Sequence, residues 1–528
     1  MSPGDAPATA PRASWLDRIE RLGNALPDPT TLFLIGAVLV VVLSQLAVSL
    51  DWSVEKTVTR EVVDASGGVG REVSEVEIRP VSLLTADGIY WMLRSMVNNF
   101  IEFPPLGVVL VGMLGIGLAE RTGFIGALLK AVLLAVPSRL LTPAVFFVGV
   151  MSSMGLDAGY VVLPPVAAAL YSAVGRSPLV GLAAVFAGVS AGFSANLLPT
   201  SLDPLLAGFS TESARLVDPS YEVAATANLG FMQVSTFPIT AVGWAVTAWW
   251  VEPRFHAKPA EEGGPSAGAD LDAQRLSPQE SRALRLAAAA AAGALAVFAA
   301  AALVPGAPLH GLDGKFPRWV AAIVPLIFLG FLVPGLVYGI AAGRLRSDRD
   351  VATLLGETMA GMGPYIVLAF FAGQFVAYFA HSGLGEMLAI SGGRLLARAE
   401  LAPTGLMAGF IGLVMLSNLF IGSMSAKYAF FAPVFVPMFM QLGISPELTQ
   451  AAYRVGDSVT NVVTPLNPYV VILLVFMRRY VPQAGIGTLV ALMLPYAVAF
   501  AVTWTALLLA WIALGLPLGP AGPLFYTP

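Results

Sequence analysis

Apolar residues run in long blocks along this chain, and polar residues gather at the joints between them. TLFLIGAVLVVVLSQLAVSL (31–50) is the cleanest block. LRLAAAAAAGALAVFAAAALV (284–304), WVAAIVPLIFLGFLVPGLVYGIAAG (319–343) and TLVALMLPYAVAFAVTWTALLLAWIALGL (488–516) follow. Each reaches the ~20 residues that a helix needs to cross a bilayer. Lipid offers no partner to a backbone N–H or C=O, so such blocks predict helices. The fold class is an all-α polytopic membrane protein.

The joints set the organisation. Residues 1–30 are polar, and SWLDRIERLGNAL reads as a short amphipathic helix on the membrane surface. Arg12, Arg18 and Arg21 place the N-terminus in the cytoplasm by the positive-inside bias. No cleavable signal peptide is expected, because the first block starts only after about 30 polar residues. Residues 51–87 hold eight acids against four bases and read as an external loop. Residues 252–282 read as a flexible cytoplasmic linker, rich in Gly, Ala, Glu and Asp. Arg344, Arg346 and Arg349 share its side, as do Arg478 and Arg479, which leaves the C-terminus outside.

The linker divides two apolar halves, 31–251 and 283–528, and the halves repeat. Residues 158–190 align without gaps on 426–458 at an offset of 268. The register matches Tyr160 with Tyr428, Pro165 with Pro433, Gly175 with Gly443, Ser177 with Ser445, Pro178 with Pro446, Gly188 with Gly456 and Ser190 with Ser458. In each copy a short apolar segment ends at glycine, turns at Ser-Pro and runs to a break. Tyr428 to Gly443 would span only ~24 Å as a helix, and Pro433 and Pro437 are expected to interrupt it. Two re-entrant hairpins are therefore expected, about 155–176 and about 423–444, each followed by a discontinuous helix. Such elements at matching positions in inverted repeats point to a secondary transporter's binding site.

Composition removes other classes. The chain has 528 residues, 12 % charged, with a net charge of −4, which gives nucleic acid no basic surface to meet. There is no cysteine, so disulfides and thiolate chemistry are absent, and three histidines are too scattered for a metal cluster. No cofactor is expected.

Charge inside the apolar blocks then becomes the informative feature. Gln450, Arg454, Asp457 and Asn461 follow 4-3-4 spacing and form one stripe on a helix. A mid-membrane charge costs ~2.5–3.5 kcal/mol, and Arg454 and Asp457 are spaced to pair at i,i+3. The plain reading is a structural ion pair; a stripe beside a Pro-broken helix suits an ion or substrate path better. The first copy has Phe186 and Val189 at these positions, so the repeat itself does not demand the charges. The break TPLNP (464–468) frees carbonyls. With Asp457, Asn461 and Thr464 they make a candidate oxygen-lined cation site. The matching break, NLLPTSLDP (196–204), offers Asn196, Thr200, Ser201 and Asp203; its alternative is an interfacial loop with Asp203 in solvent. Asp157 and its counterpart Ser425 are expected to cap half-helices. Lys427 is expected to snorkel, with a counter-charge for an anionic substrate as the alternative. His381 and Glu386 are placed near an interface without a role.

GNALPDPTTLF (23–33), NNFIEFPPLGVVLVGMLGIGLAERTG (98–123), VMSSMGLDAGYVVLPP (150–165), AGVSAGFSANLLPTSLDPLLAG (187–208), NLFIGSMSAKYAFFAPVFVP (418–437) and SPELTQAAYRVGDSVTNVVTPLNPY (445–469) resemble the AbgT family of transporters. The resemblance implies a homodimer in the bacterial inner membrane. Each protomer would have about nine spans and two hairpins, divided between scaffold and transport domains. It implies aryl amide carboxylate substrates of the p-aminobenzoyl-glutamate kind, or export of sulfonamide antimetabolites, coupled to Na⁺ or protons. Asp203, Ser425, Tyr428, Pro446, Arg454, Asp457 and Pro465 would lie near the substrate, and Asn418 and Asp457 near the cation. The family's SASAKW reads SMSAKY here, so Tyr428 replaces a tryptophan.

Two rivals remain at this level. One is a Na⁺-coupled dicarboxylate carrier. The other is an intramembrane aspartyl protease, suggested by Gly456–Asp457, with Asp203 as the second aspartate. The transporter reading, not an enzyme, accounts for the repeat.

Overall fold

The structure, a computed structural model, describes residues 29–63, 69–155, 158–265, 275–314, 316–464, 466–467 and 469–527. The N-terminal amphipathic segment, Asp157, Pro465 and the 266–274 part of the linker lie outside the described residues.

The first half contains α1 (Pro29–Ser49), a β1–β2 ribbon (Val54–Val63 and Val69–Ile78), α2 (Ala86–Ile101), α3 (Pro104–Arg121), α4 (Phe124–Leu134), α5 (Leu141–Met151), α6 (Ala158–Ala173), α7 (Pro178–Ser190), α8 (Leu202–Ala214) and α9 (Leu229–Val246). The second contains α10 (Pro278–Leu303), α11 (Ile323–Ala341), α12 (Asp348–Gly361), α13 (Gly363–His381), α14 (Leu384–Ala397), α15 (Pro403–Ser417), α16 (Met424–Met440), α17 (Pro446–Thr460), α18 (Tyr469–Arg478) and α19 (Ile486–Ala513). Among the described residues seven helices are long and apolar enough to cross a membrane, or eight if the pair Phe124–Leu134 and Ser138–Met154, bent by 112°, is one span. Shorter apolar helices, α6, α7, α15 and α16 among them, fill the centre. Long spans with broken elements between them are the expected architecture.

The loop expected at 51–87 is instead an antiparallel ribbon, with Val54 opposite Ile78 and Val63 opposite Val69. Its sequence, VEKTVTREVV, mixes β-branched and charged residues, the composition of a half-exposed strand. Lys56 Nζ lies 2.6 Å from Glu386 Oε1, so Glu386 docks the ribbon on α14. His381 stacks on Trp91 at 3.7 Å.

The repeat is visible in backbone geometry. Gly175 and Gly443 take φ of +71° and +74°, a conformation that glycine adopts without the steric cost a Cβ brings. Ser177 and Ser445 then cap α7 and α17, accepting the Val180 and Leu448 N–H groups, and Pro178 and Pro446 open the helices. Pro433 and Pro437 do not interrupt α16, which runs unbroken to Met440. Neighbouring helices can compensate the lost N–H in a buried segment.

Both turns are also fastened from outside. Ser177 Oγ donates to the Gly263 carbonyl at 2.5 Å, and Arg176 binds Glu252 with Nε and Nη2, each at 2.6 Å. Ser445 Oγ donates to the Pro523 carbonyl at 2.7 Å, and the Tyr526 N–H donates to the Gly443 carbonyl at 2.8 Å. The segment 253–264 is thus a packed strap, not a loose linker, because its Gly263 carbonyl holds this turn beside the Glu252 that binds Arg176.

Candidate functional site

α17 carries the polar stripe, and each of its fifteen residues is buried. Gly456 lets it approach α15: a Cβ there would sit 2.7 Å from the Ile411 carbonyl oxygen. Close packing therefore accounts for the glycine beside Asp457.

Arg454 and Asp457 do not pair with each other. Asp457 Oδ1 is 2.7 Å from Lys427 Nζ on α16. Arg454 Nη1 is 2.5 Å from Asp203 Oδ1 at the start of α8. Both bridges cross between helices, from α17 to α16 and from α17 to α8. Lys427 does not snorkel; it is 0 % exposed. Asp203 is not in solvent either. It is 4 % exposed, and its Oδ2 accepts from the Thr200 N–H at 2.6 Å and the Thr200 hydroxyl at 2.9 Å. Four buried charges thus cancel in two pairs.

Asn418, at the end of α15, ties the cluster together. Its Oδ1 accepts from Lys427 Nζ at 2.6 Å. Its Nδ2 donates to the Asp457 carbonyl at 2.8 Å, to Thr460 Oγ1 at 2.9 Å and to Asn461 Oδ1 at 2.8 Å. Asn418, Asp457 and Asn461 are therefore assembled. Thr464 is spent locally, its Oγ1 accepting from the Leu466 N–H at 3.3 Å. Asn467 joins the two breaks by donating to Ser190 Oγ at the end of α7, at 3.0 Å.

Tyr428 is fully buried. Its hydroxyl shares a 2.6 Å hydrogen bond with Ser210, which donates in turn to Gln450 Oε1 at 2.9 Å. Its ring lies 4.4 Å from that of Tyr453, and the Tyr453 hydroxyl donates to the Met424 carbonyl at 2.5 Å. Ser425 sits in the first turn of α16, but Ser423 caps that helix, because Ser423 is the residue with extended backbone. Pro446 opens α17 eight residues before Arg454, about 12 Å away along the axis. Asn196 donates to Ser153 Oγ, and Ser201 is buried just before α8.

Several polar atoms here have no hydrogen-bond partner among the described residues: Arg454 Nε, Asp457 Oδ2, Ser194 Oγ and Asn196 Oδ1. Buried polar atoms are almost always satisfied. Arg454 Nη2 has only a 3.4 Å contact, to the Ser194 carbonyl. The Nε–Nη2 edge of a guanidinium binds a carboxylate with two parallel hydrogen bonds. A carboxylate oxygen in lipid takes a proton or a cation. Both groups sit on one helix, one turn apart, where the breaks of the two halves meet.

Sequence reasoning had marked Arg454, Asp457 and Asp203. It missed Tyr453, four residues before Asp457, and the role of Lys427. The signal for Lys427 lies in the repeat, since position 159, its counterpart, is glycine.

The sequence profile of the "AbgT putative transporter family" matches residues 14–526. The p-aminobenzoyl-glutamate transport protein of Escherichia coli strain K12 is 35 % identical over 98 % of this chain and 99 % of its own length. Two solved structures are similar throughout. The Alcanivorax borkumensis YdaH transporter, described as having an unusual topology, is 42 % identical with a TM-score of 0.83, covering 94 % of this chain and 100 % of that one. Neisseria gonorrhoeae MtrF, described as illuminating a class of antimetabolite efflux pumps, is 40 % identical with a TM-score of 0.87, covering 97 % and 100 %.

Proposed function

Because this chain belongs to the AbgT family of transporters, we propose that it is a cation-coupled secondary transporter of aryl amide carboxylates related to p-aminobenzoyl-glutamate, of sulfonamide antimetabolites, or of both. That it is a multi-pass membrane transporter and not an enzyme follows from the family. The protease alternative needs Asp203 and Asp457 to face each other, and each is instead bound to its own cation.

One observation carries the substrate reading. Arg454 Nε and Asp457 Oδ2 are buried without a partner among the described residues, the adjoining Nη2 has only its long bond to the Ser194 carbonyl, and the two groups lie a helical turn apart. A substrate carboxylate takes the guanidinium edge while Asp203 keeps Nη1. The aryl group packs on the Tyr428–Tyr453 pair. Na⁺ or a proton meets Asp457 Oδ2, with Asn418 and Asn461 beside it. Neutralising Asp457 weakens its hold on Lys427 and so couples the ion to the packing of α16 on α17. The strapped, duplicated hairpins support alternating access, with the broken elements moving against a dimerised scaffold in the bacterial inner membrane. The N-terminus is on the cytoplasmic side in this proposal.

The test is flux of radiolabelled p-aminobenzoyl-glutamate and of a labelled sulfonamide in proteoliposomes, under separately imposed Na⁺ and proton gradients. Gradient-driven flux that disappears in Asp457→Ala is the expected result. Absence of flux for both compounds, from protein shown to be folded, overturns the substrate class. Competition by simple dicarboxylates alone turns the reading to the dicarboxylate carrier.

A further inference from the structure

A cleft of about 440 Å³, which shares no lining residue with the charged cluster, opens where the strap 253–264, the end of α18 and the start of α19 meet. Its floor is apolar, with Leu179, Met477 and Leu492 in the lining. Its rim carries Arg254 and Lys258 against one acid, Glu262. Arg254 Nη1 donates to the Ala491 carbonyl at 3.2 Å, which holds the guanidinium across the first turns of α19. Lys258 Nζ stands 5.1 Å from the Phe255 ring centroid. Arg478 adjoins the cleft, its Nε donating to the Ala484 carbonyl at 3.0 Å, and α19 brings no acid in its first turn.

The depth of the cleft can be read from its neighbours. Trp249 and Trp250, on the π-helical turn Thr247–Val251, are 81 % and 67 % exposed. Outward tryptophans at a helix end mark the membrane–water interface. Arg254 lies about one turn beyond Trp250 and Lys258 two residues past the helix end at His256, so the rim stands at headgroup level. A soluble anion has no use for the apolar floor, and a neutral chain has no use for the cations. An anionic phospholipid uses both, its phosphate at the rim and an acyl chain on the floor.

We propose that this cleft is a binding site for the headgroup of an anionic phospholipid. The lipid braces the strap whose Gly263 carbonyl holds the turn of the first repeat. The site shares no residue with the Arg454–Asp457 cluster, so it stands or falls independently of the transport reading.

Native mass spectrometry of the full-length protein tests it, with phosphatidylglycerol, phosphatidylcholine and inorganic phosphate as separate probes. Phosphatidylglycerol is expected to be retained in preference to phosphatidylcholine. Arg254→Gln/Lys258→Gln is expected to lower its affinity by about tenfold or more. The matched charge loss Arg282→Gln/Arg285→Gln, at two exposed positions of α10, is expected to leave it unchanged. Equal retention of the two lipids overturns the proposal, and so does equal loss in both double variants, which marks general electrostatics. Displacement of the lipid by phosphate at equal concentration also overturns it, in favour of a free-anion site.

Discussion

Lys427 and Asp457 meet at 2.7 Å where the first half of the chain brings together Gly159 and Val189. A Cβ on Gly159 would stand 3.3 Å from Val189 Cγ1 and would collide with Ser152, whose Oγ donates to the Gly149 carbonyl. The same helix contact is therefore uncharged in one copy and ionic in the other. The ion pair is chemistry added to a contact that packs without it.

Removing one partner of a buried pair leaves an uncompensated charge and costs ~3–5 kcal/mol, whereas replacing both with apolar residues is often neutral. Lys427→Met is expected to destabilise by that amount, and Lys427→Met/Asp457→Leu to recover most of it. The double variant is expected to show no gradient-driven flux. Chemical unfolding in detergent beside a flux assay measures both. Recovery of flux with stability would make the pair a structural feature only.

Arg454→Lys keeps the charge and loses the fork. Flux of carboxylate substrates is expected to fall roughly tenfold or more, with stability close to that of the unaltered protein. Asp203→Asn is expected to behave differently: it unpairs a buried guanidinium and costs ~3–5 kcal/mol. Equal behaviour of the two variants in both assays would refute the division of the guanidinium edges.

Tyr428→Phe removes the hydrogen bond to Ser210 and is expected to cost ~1 kcal/mol, while the ring still faces Tyr453. Flux should be largely kept. Tyr428→Trp restores the family's residue but overfills a site that Ser210 and Gln450 close, at ~1–3 kcal/mol. Adding Ser210→Gly should recover part of that loss in a thermal scan.

Ser177→Ala and Ser445→Ala each remove a helix cap, expected to cost ~0.5–2 kcal/mol. Each also frees a strap. In Ser445→Ala the Tyr526 N–H, which donates to the Gly443 carbonyl, is expected to exchange with solvent deuterium faster. Unchanged exchange there would mean that the tail is held elsewhere.

Asp350 completes the capping box that Ser347 opens at the start of α12, outside the spans. Backbone N–H groups of Arg346 and Ser347 hold its carboxyl below the usual range. Its contribution is full above the unfolded value of ~4 and is lost as pH falls through the lower folded value. The first turn of α12 should loosen below about pH 4. Asp350→Asn should abolish that dependence, as followed by proteolysis near the cap.

The long spans were legible because twenty apolar residues admit one backbone solution in lipid. The repeat was legible because Gly443 and Ser445 do backbone work that few residues can do. The pairing of charges was not. A helix face shows Arg454 and Asp457 as neighbours, whereas Asp203 and Lys427 come from segments whose approach only packing decides. The ribbon at 54–78 was hidden for another reason: its charges suggested a loop, and its β-branched residues were not weighed. The cap of α16 moved from Ser425 to Ser423 because helix starts depend on backbone angles that a serine-rich stretch leaves open.

The two straps bear on the order in which the chain can close as it is synthesised. Each turn is fastened by a segment that follows it in the same half, 86 residues later at Gly263 and 78 residues later at Pro523. A serine hydroxyl at the start of α7 or α17 therefore gains its carbonyl partner only after the rest of its own half has been made, and for Ser445 that means the last few residues of the chain.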